Sequence, residues 1–174
     1  MFVADGLGFA DALSITPVAA LMGSPIIFTP NDKVGINSVS ADYLSSYIGK
    51  KAVLVGGESV VKSDVDAKLK EMGFSTERVF GSDRYETSAK IYDKYKDLFS
   101  GDKAIMATGR DFPDALAGGV LGAKIKAPLL LVNGTGATSA PVKAAFNAMP
   151  ARTDIYVLGG RLVVTDEVVN NHIK

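Results

Sequence analysis

Two stretches of this chain say nearly the same thing. "DGLGFADALSIT" begins at Asp5 and "TGRDFPDALAGG" begins at Thr108. Both contain G-x-x-F-x-D-A-L, and both follow an apolar run. Laying Phe9 on Phe112 sets an offset of 103, which also brings Asp11 onto Asp114, Ala12 onto Ala115 and Leu13 onto Leu116. The same offset carries Pro25 onto Pro128, Val39 onto Val142, Gly56-Gly57 onto Gly159-Gly160 and Val60-Val61 onto Val163-Val164. Residues 1–71 thus align with 104–174 without a gap, about one position in five being identical. A register held that long is the mark of internal duplication, so the chain must build one small fold twice.

The two copies are not flanked alike. "RVFGSDRYETSAKIYDKYKDLFSGDK", residues 78–103, precedes the second copy and has no counterpart before the first. The repeat unit is therefore expected to run from about Arg78 to the C-terminus. This divides the chain into residues 1–77, a unit lacking its opening helix, and residues 78–174, a full unit. A chain of this form reads as a piece of a longer tandem array, and one face of its first sheet is expected to be bare and to recruit a partner chain.

Within the second copy, Asp83 and Glu86 have capping-box spacing, and an amphipathic helix is expected over about 83–99, with Tyr85, Tyr92 and Phe99 on or near its apolar face. "AIMA" (104–107), "APLLLV" (127–132) and "DIYVLGG" (154–160) read as short buried strands. Pro113 suits the first position of a helix built from small residues, "GTGATSAP" a turn and helix start, and Thr165 a cap for the last helix, as Ser63 does in the first copy. Pro25-"IIF" and Pro128-"LLL" are expected to be buried central strands. Apolar strands alternating with helices give a parallel sheet covered on both faces. The expected class is α/β: tandem small three-layer units, Rossmann-like, with the loops at the carboxyl ends of the strands gathered on the ligand-binding edge. The G-x-x-F-x-D-A-L turn and the Gly-Gly turn both fall there.

Composition narrows the function. Nineteen Lys and Arg balance nineteen Asp and Glu, which argues against a whole-surface attraction to nucleic acid or to an anionic membrane. Residues 1–77 carry six basic and nine acidic residues, a balance of −3, and residues 78–174 carry thirteen and ten, or +3. No cysteine is present, which removes disulfides and thiolate metal sites. The one histidine, His172, lies near the C-terminus and reads as a surface residue. No Ser-His-Asp or Cys-His set can be assembled, and no histidine-based zinc site. The glycines match neither G-x-G-x-x-G nor a P-loop.

The repeated turn itself has two readings. Phe9 and Phe112 can plug the start of a helix, and Asp11 and Asp114 can cap it. Alternatively, the same turns form a polar site at a helix N-terminus. An Asp5/Asp11 or Asp111/Asp114 pair could hold Mg²⁺, which leaves a Mg-dependent enzyme acting on phosphate or glycan as the alternative function. Arg84, Arg110 and Arg161 stand at helix starts or turns and suit phosphate or carboxylate. Arg84 could equally pair with a neighbouring acid and fasten one unit to the next. Leu7 stands opposite Arg110 and Glu58 opposite Arg161, so an anion site built on these arginines differs between units.

"RVFGSDRYETSAKI", "ATGRDFPDALAGGVLGAKIKAPLLLV" and "IYVLGGRLVVTDEV" together resemble the cell wall binding repeat type 2 family of Gram-positive surface proteins. "VADGLGFADALSITPVAALMGSPIIF" and "VLVGGESVVKSDV" resemble a second copy. The resemblance covers essentially the whole chain. It implies a secreted, surface-located module with a Toprim-like α/β fold that anchors a protein non-covalently to an anionic, teichoic-acid-like wall polymer. It also implies further copies of the repeat as partners, in a trimer-like grouping or an oligomer. Neither catalysis nor a cofactor is expected of this chain; the amidase activity with which some family proteins are labelled would belong to a separate domain. The residues expected to contact the polymer are Asp5, Gly6, Asp11, Arg84, Tyr85, Thr108, Gly109, Arg110, Asp114 and Arg161.

Overall fold

The computed structural model describes residues 1–29, 36–137 and 139–173; position 138 of the turn expected over 134–141 lies outside them. Seven strands and seven helices are formed among the described residues. The first unit contains β1 (Phe2–Asp5), α1 (Phe9–Leu21), β2 (Ile26–Thr29), α2 (Ser38–Ser45), β3 (Lys51–Val55), α3 (Ser63–Glu71) and β4 (Ser75–Val79). The helix α4 (Arg84–Tyr95) follows, extended by a 3-10 turn at Lys96–Leu98. The second unit contains β5 (Lys103–Thr108), α5 (Pro113–Ile125), β6 (Leu129–Val132), α6 (Ala140–Ala148), β7 (Asp154–Leu158) and α7 (Asp166–His172). From β1 to α3 and from β5 to α7 the elements succeed one another in the same order, at the offset read from the sequence.

Two parallel sheets result. The first has strand order β2-β1-β3-β4 and the second β6-β5-β7. The fold is thus mixed α/β with parallel sheets covered by helices. Strand β4 was not foreseen. "STERV" is polar and half-exposed, so its period gives little signal, yet it pairs in register with β3 from Lys51–Ser75 to Val55–Val79. It runs across the 77/78 division and belongs by its hydrogen bonds to the first sheet. Pro25-"IIF" and Pro128-"LLL" lie in edge strands, not central ones: both units place β1 or β5 in the middle. β6 is nonetheless buried throughout, whereas Phe28 of β2 is 54% exposed.

The expected bare face on the first sheet is not there. One face packs Val3, Ala52 and Leu54 against α2 and α3. The other packs Phe2, Ala4, Val53, Val55 and Val79 against α1 and against Ile91 of α4, with Tyr95 and Phe99 completing it. Phe2 and Tyr95 meet edge to face at 6.0 Å. α4 serves both units. Its Ala89, with Tyr85 and Tyr92, packs into the second core beside Met106, Leu130 and Phe146. Ser88 Oγ also accepts a hydrogen bond from the Leu131 N–H at 3.1 Å and donates to the Tyr85 carbonyl at 2.7 Å. An edge-strand donor is thereby satisfied inside the molecule. α4 begins on a well-made cap: Asp83 accepts from the Glu86 N–H, and Glu86 accepts from the Ser82 N–H and hydroxyl. These bonds, backbone first, pull the Glu86 carboxyl down to about 2.

α1 also packs across the junction, chiefly on α5. That contact is close because α5 is glycine-rich there: a Cβ on Gly119 would stand 3.0 Å from Thr16. Phe9, Leu13 and Ala10 of α1 pack into the second unit's core with Ile105, Ala115 and Leu131. Thr165 caps α7 by accepting from the Val168 N–H. Ser63 does not cap α3; it is the first helical residue, and Lys62, which precedes it, makes no side-chain bond to the helix start. His172 is fully buried, not at the surface. Its Nδ1 donates to the Val168 carbonyl at 2.8 Å, and Nε2 accepts from the Ser139 N–H at 3.2 Å, holding the start of α6.

Candidate functional site

The carboxyl ends of β1, β3 and β4 and the starts of α1 and α4 converge on a cleft of about 320 Å³. Its lining includes Asp5, Leu7, Asp11, Ser59, Ser82 and Arg84, with Gly8, Gly57 and Gly81 supplying backbone. Asp5 ends β1 and is 5% exposed. Its Oδ1 accepts from the Leu7 N–H at 3.1 Å. Asp11 lies in the first turn of α1, and among the described residues no hydrogen-bond donor reaches its carboxylate. Burial pushes the Asp11 carboxyl up to about 6; the Arg84 guanidinium opposes that rise and the Asp5 charge adds to it.

Arg84 joins the two units. Its Nη1 donates to the Gly109 carbonyl at 2.6 Å, and the guanidinium stands 5.4 Å from the centre of the Phe9 ring. The cleft is therefore built across the junction, with an α1 carboxylate from one unit facing an α4 cation tied to the other. Its far wall is pinned by Arg78, whose Nη1 donates to the carbonyls of Gly56 and Val61 at 2.8 and 2.9 Å.

The repeated motif now has a geometric reason. Asp11 Oδ2 lies against Gly56, where a Cβ would stand only 2.6 Å from it. Asp114 Oδ2 lies against Gly159 in the same way, at 2.7 Å. Both glycines have positive φ, +111° and +104°, a region that L side chains resist. The Asp of G-x-x-F-x-D-A-L and the first Gly of the Gly-Gly turn thus form one matched pair in each unit.

The expected site residues divide into three groups. Asp5, Asp11 and Arg84 come together in the cleft, and Gly6 sits beside it against β2. Tyr85, Thr108 and Gly109 form the junction: the Tyr85 ring lies against Gly109, and Thr108 Oγ1 accepts from the Arg110 N–H at 3.1 Å. Arg110, Asp114 and Arg161 lie elsewhere. Arg110 reaches Thr135 Oγ1 at 2.7 Å, and Arg161 faces Asp166 at 3.4 Å on an exposed surface. The three arginines are not gathered in one cleft. Ser59, Gly81, Ser82 and Arg78 were missed. The signal for the first three was the Gly-Gly turn and the "FGSD" cap standing at equivalent strand ends; Arg78 carried none, since its role depends on unforeseen β4. Among the described residues, no group of three or more His, Cys, Asp and Glu side chains gathers as metal ligands.

Comparison with known proteins supplies the family. The model of cell wall binding domain 2 matches residues 1–66 and 78–169. The chain is 29% identical over 168 residues to the N-acetylmuramoyl-L-alanine amidase LytC of Bacillus subtilis, covering 97% of this chain and 32% of that protein. Among solved structures it superposes on Cwp8 from Clostridium difficile with a TM-score of 0.81 at 29% identity, over 98% of this chain and 28% of that one. Cwp6 from the same organism gives 0.82 at 28% identity, over 98% and 26%. The chain spans about a third or less of the length of these proteins. It belongs to the cell wall binding domain 2 family and is a cell-wall anchoring module that works at the surface outside the cell.

Proposed function

We propose that the chain anchors its parent protein by binding an anionic, teichoic-acid-like wall polymer of a Gram-positive bacterium, without catalysis, through several weak contacts used in parallel. The observation that carries this reading is the matched Asp-Gly turn at the strand ends of both units. A duplicated site suits a repeating ligand, because a second contact on one polymer strand forms at high effective concentration. Catalysis gains nothing from such duplication. Arg84, Arg110 and Arg161 would supply the cationic contacts, with Tyr85, Thr108, Gly109, Gly6 and the Asp pairs shaping the turns. Phe112, just before α5, forms with Leu116 and Val120 of that helix an exposed apolar face, and a further copy of the repeat is the partner that we assign to it. Any amidase activity would reside in another part of the parent protein.

Co-sedimentation with purified walls tests the reading. The chain should pellet with intact walls, lose most of that binding once the anionic polymers are stripped, and bind more weakly as salt screens the contacts, over a Debye length of about 8 Å at physiological ionic strength. Equal binding to stripped walls overturns it.

A further inference from the structure

We propose that the cleft between the two units holds a glycosyl unit of the wall polymer by its hydroxyl groups, with Asp5 and Asp11 as the accepting carboxylates. This rests on the wall-polymer reading and states which part of the polymer the cleft takes. The starting point is a deficit of donors. Asp5 is 5% exposed and lines the cleft, yet the Leu7 N–H engages only Oδ1. No donor among the described residues reaches Asp5 Oδ2 or either oxygen of Asp11. These oxygens are not among the described buried side-chain atoms left without a partner, so they open onto the cleft and can accept hydrogen bonds from a ligand. The placing of an Asp against a Gly is built in twice, since Asp114 is set against Gly159 as Asp11 is against Gly56.

Such oxygens want donors from outside. A phosphodiester brings none and meets two carboxylates, so the polymer's phosphates belong with Arg110 and Arg161, beyond the cleft. Sugar hydroxyls bring several donors at once. The remaining groups suit the rest of a sugar ring. Ser59 and the N–H groups of Arg84 that Gly109 does not engage can serve its acceptor oxygens. Leu7 is 81% exposed, and Phe80, 48% exposed, lies against Gly57 of the lining; together they offer an apolar rim for the C–H face. A volume of about 320 Å³ is at the small end of ligand sites.

The test is a ¹H–¹⁵N spectrum of the full chain titrated with a panel of neutral methyl glycosides of hexoses and N-acetylhexosamines, and in parallel with inorganic phosphate. At least one glycoside should move the amides of Gly8, Gly57 and Gly81, and phosphate should not. Asp11→Ala should weaken that glycoside by about tenfold or more, the loss of a hydrogen bond to a charged group; Asp11→Asn, which keeps an acceptor and the volume, should weaken it less. Both variants should melt cooperatively. Silence of the cleft toward the whole panel, or larger shifts with phosphate, overturns the assignment. A chain that sediments with walls but whose cleft is silent overturns this assignment alone; a chain that fails to sediment overturns the anchoring reading itself.

Discussion

Phe9, Leu13 and Pro17 on α1 stand at the same repeat positions as Phe112, Leu116 and Val120 at the start of and along α5. Their fates differ. Phe9 and Leu13 pack into the second unit's core, and Pro17 lies buried against Gly122. Phe112, Leu116 and Val120 are 50%, 51% and 66% exposed. One apolar stripe, written twice, is used once among the described residues. The edge strands show the reverse asymmetry. Leu129–Val132 is buried because α4 and α1 lie along it, while the matching Ile26–Thr29 leaves Phe28 in solvent. A repeat therefore encodes a unit together with the two surfaces by which it meets its neighbours, and burial reports which neighbour is present.

The largest effect should come from the edge strands. Leu130→Ala removes a fully buried side chain from the core under α4, and should cost about 2–5 kcal/mol. Phe28→Ala, one position beyond Ile27, the repeat equivalent of Leu130, should cost less than about 1 kcal/mol, since half of its surface is already wet. Urea melts of both variants check this, and equal losses would break the claim that α4 separates the two edges.

Next comes α1. Leu13→Ala takes a partly buried side chain from the inter-unit core, and should cost about 1–3 kcal/mol. His172→Ala follows at about 1–3 kcal/mol, because the Ser139 N–H loses its acceptor in a dry site. His172→Leu restores volume but not the bond, so partial rescue is expected in thermal melts.

His172 also shows how much was legible. The repeat register sets it opposite Leu69, and both are fully buried. The register held the answer, but histidine's polarity and its place near the chain end spoke louder. Strands with unbroken apolar runs, such as "AIMA" and "LLLV", declared themselves, and so did the Asp83 cap. β4 did not, because "STERV" gains its place by pairing with β3 rather than by its own pattern. The Asp5–Asp11–Arg84 grouping was half visible: each residue could be singled out, but their meeting depends on α4 crossing from one unit to the other.

The paired aspartates give the next test. Asp11 is ionised in the folded state only above about 6, against an ordinary carboxylate value of 3.8. A raised acid contributes stability that is fully present below the unfolded value and is lost as pH rises through the folded one. The fold should therefore be strained at Asp11 above about pH 6. Asp11→Asn should change little at pH 4 and should stabilise by about 1–2 kcal/mol at pH 8. Gain at acid pH rather than alkaline pH in paired thermal melts would refute the burial argument.

The smallest effect is expected at the surface that the chain leaves unused. Leu116 is 51% exposed and Val120 is 66% exposed, so truncating them removes little that folding buried. Leu116→Ala should shift stability by less than about 0.5 kcal/mol, against the larger loss at Leu13, its partner in the repeat. The difference between these two substitutions measures the inter-unit contact directly, because residue type, helix position and motif are the same. If Leu116→Ala instead costs as much as Leu13→Ala, and the cost grows with protein concentration, the α5 face is being covered by a second copy of the chain. A cost that is equally large but independent of concentration means that the face is buried within one molecule, and the contrast between α1 and α5 is wrong.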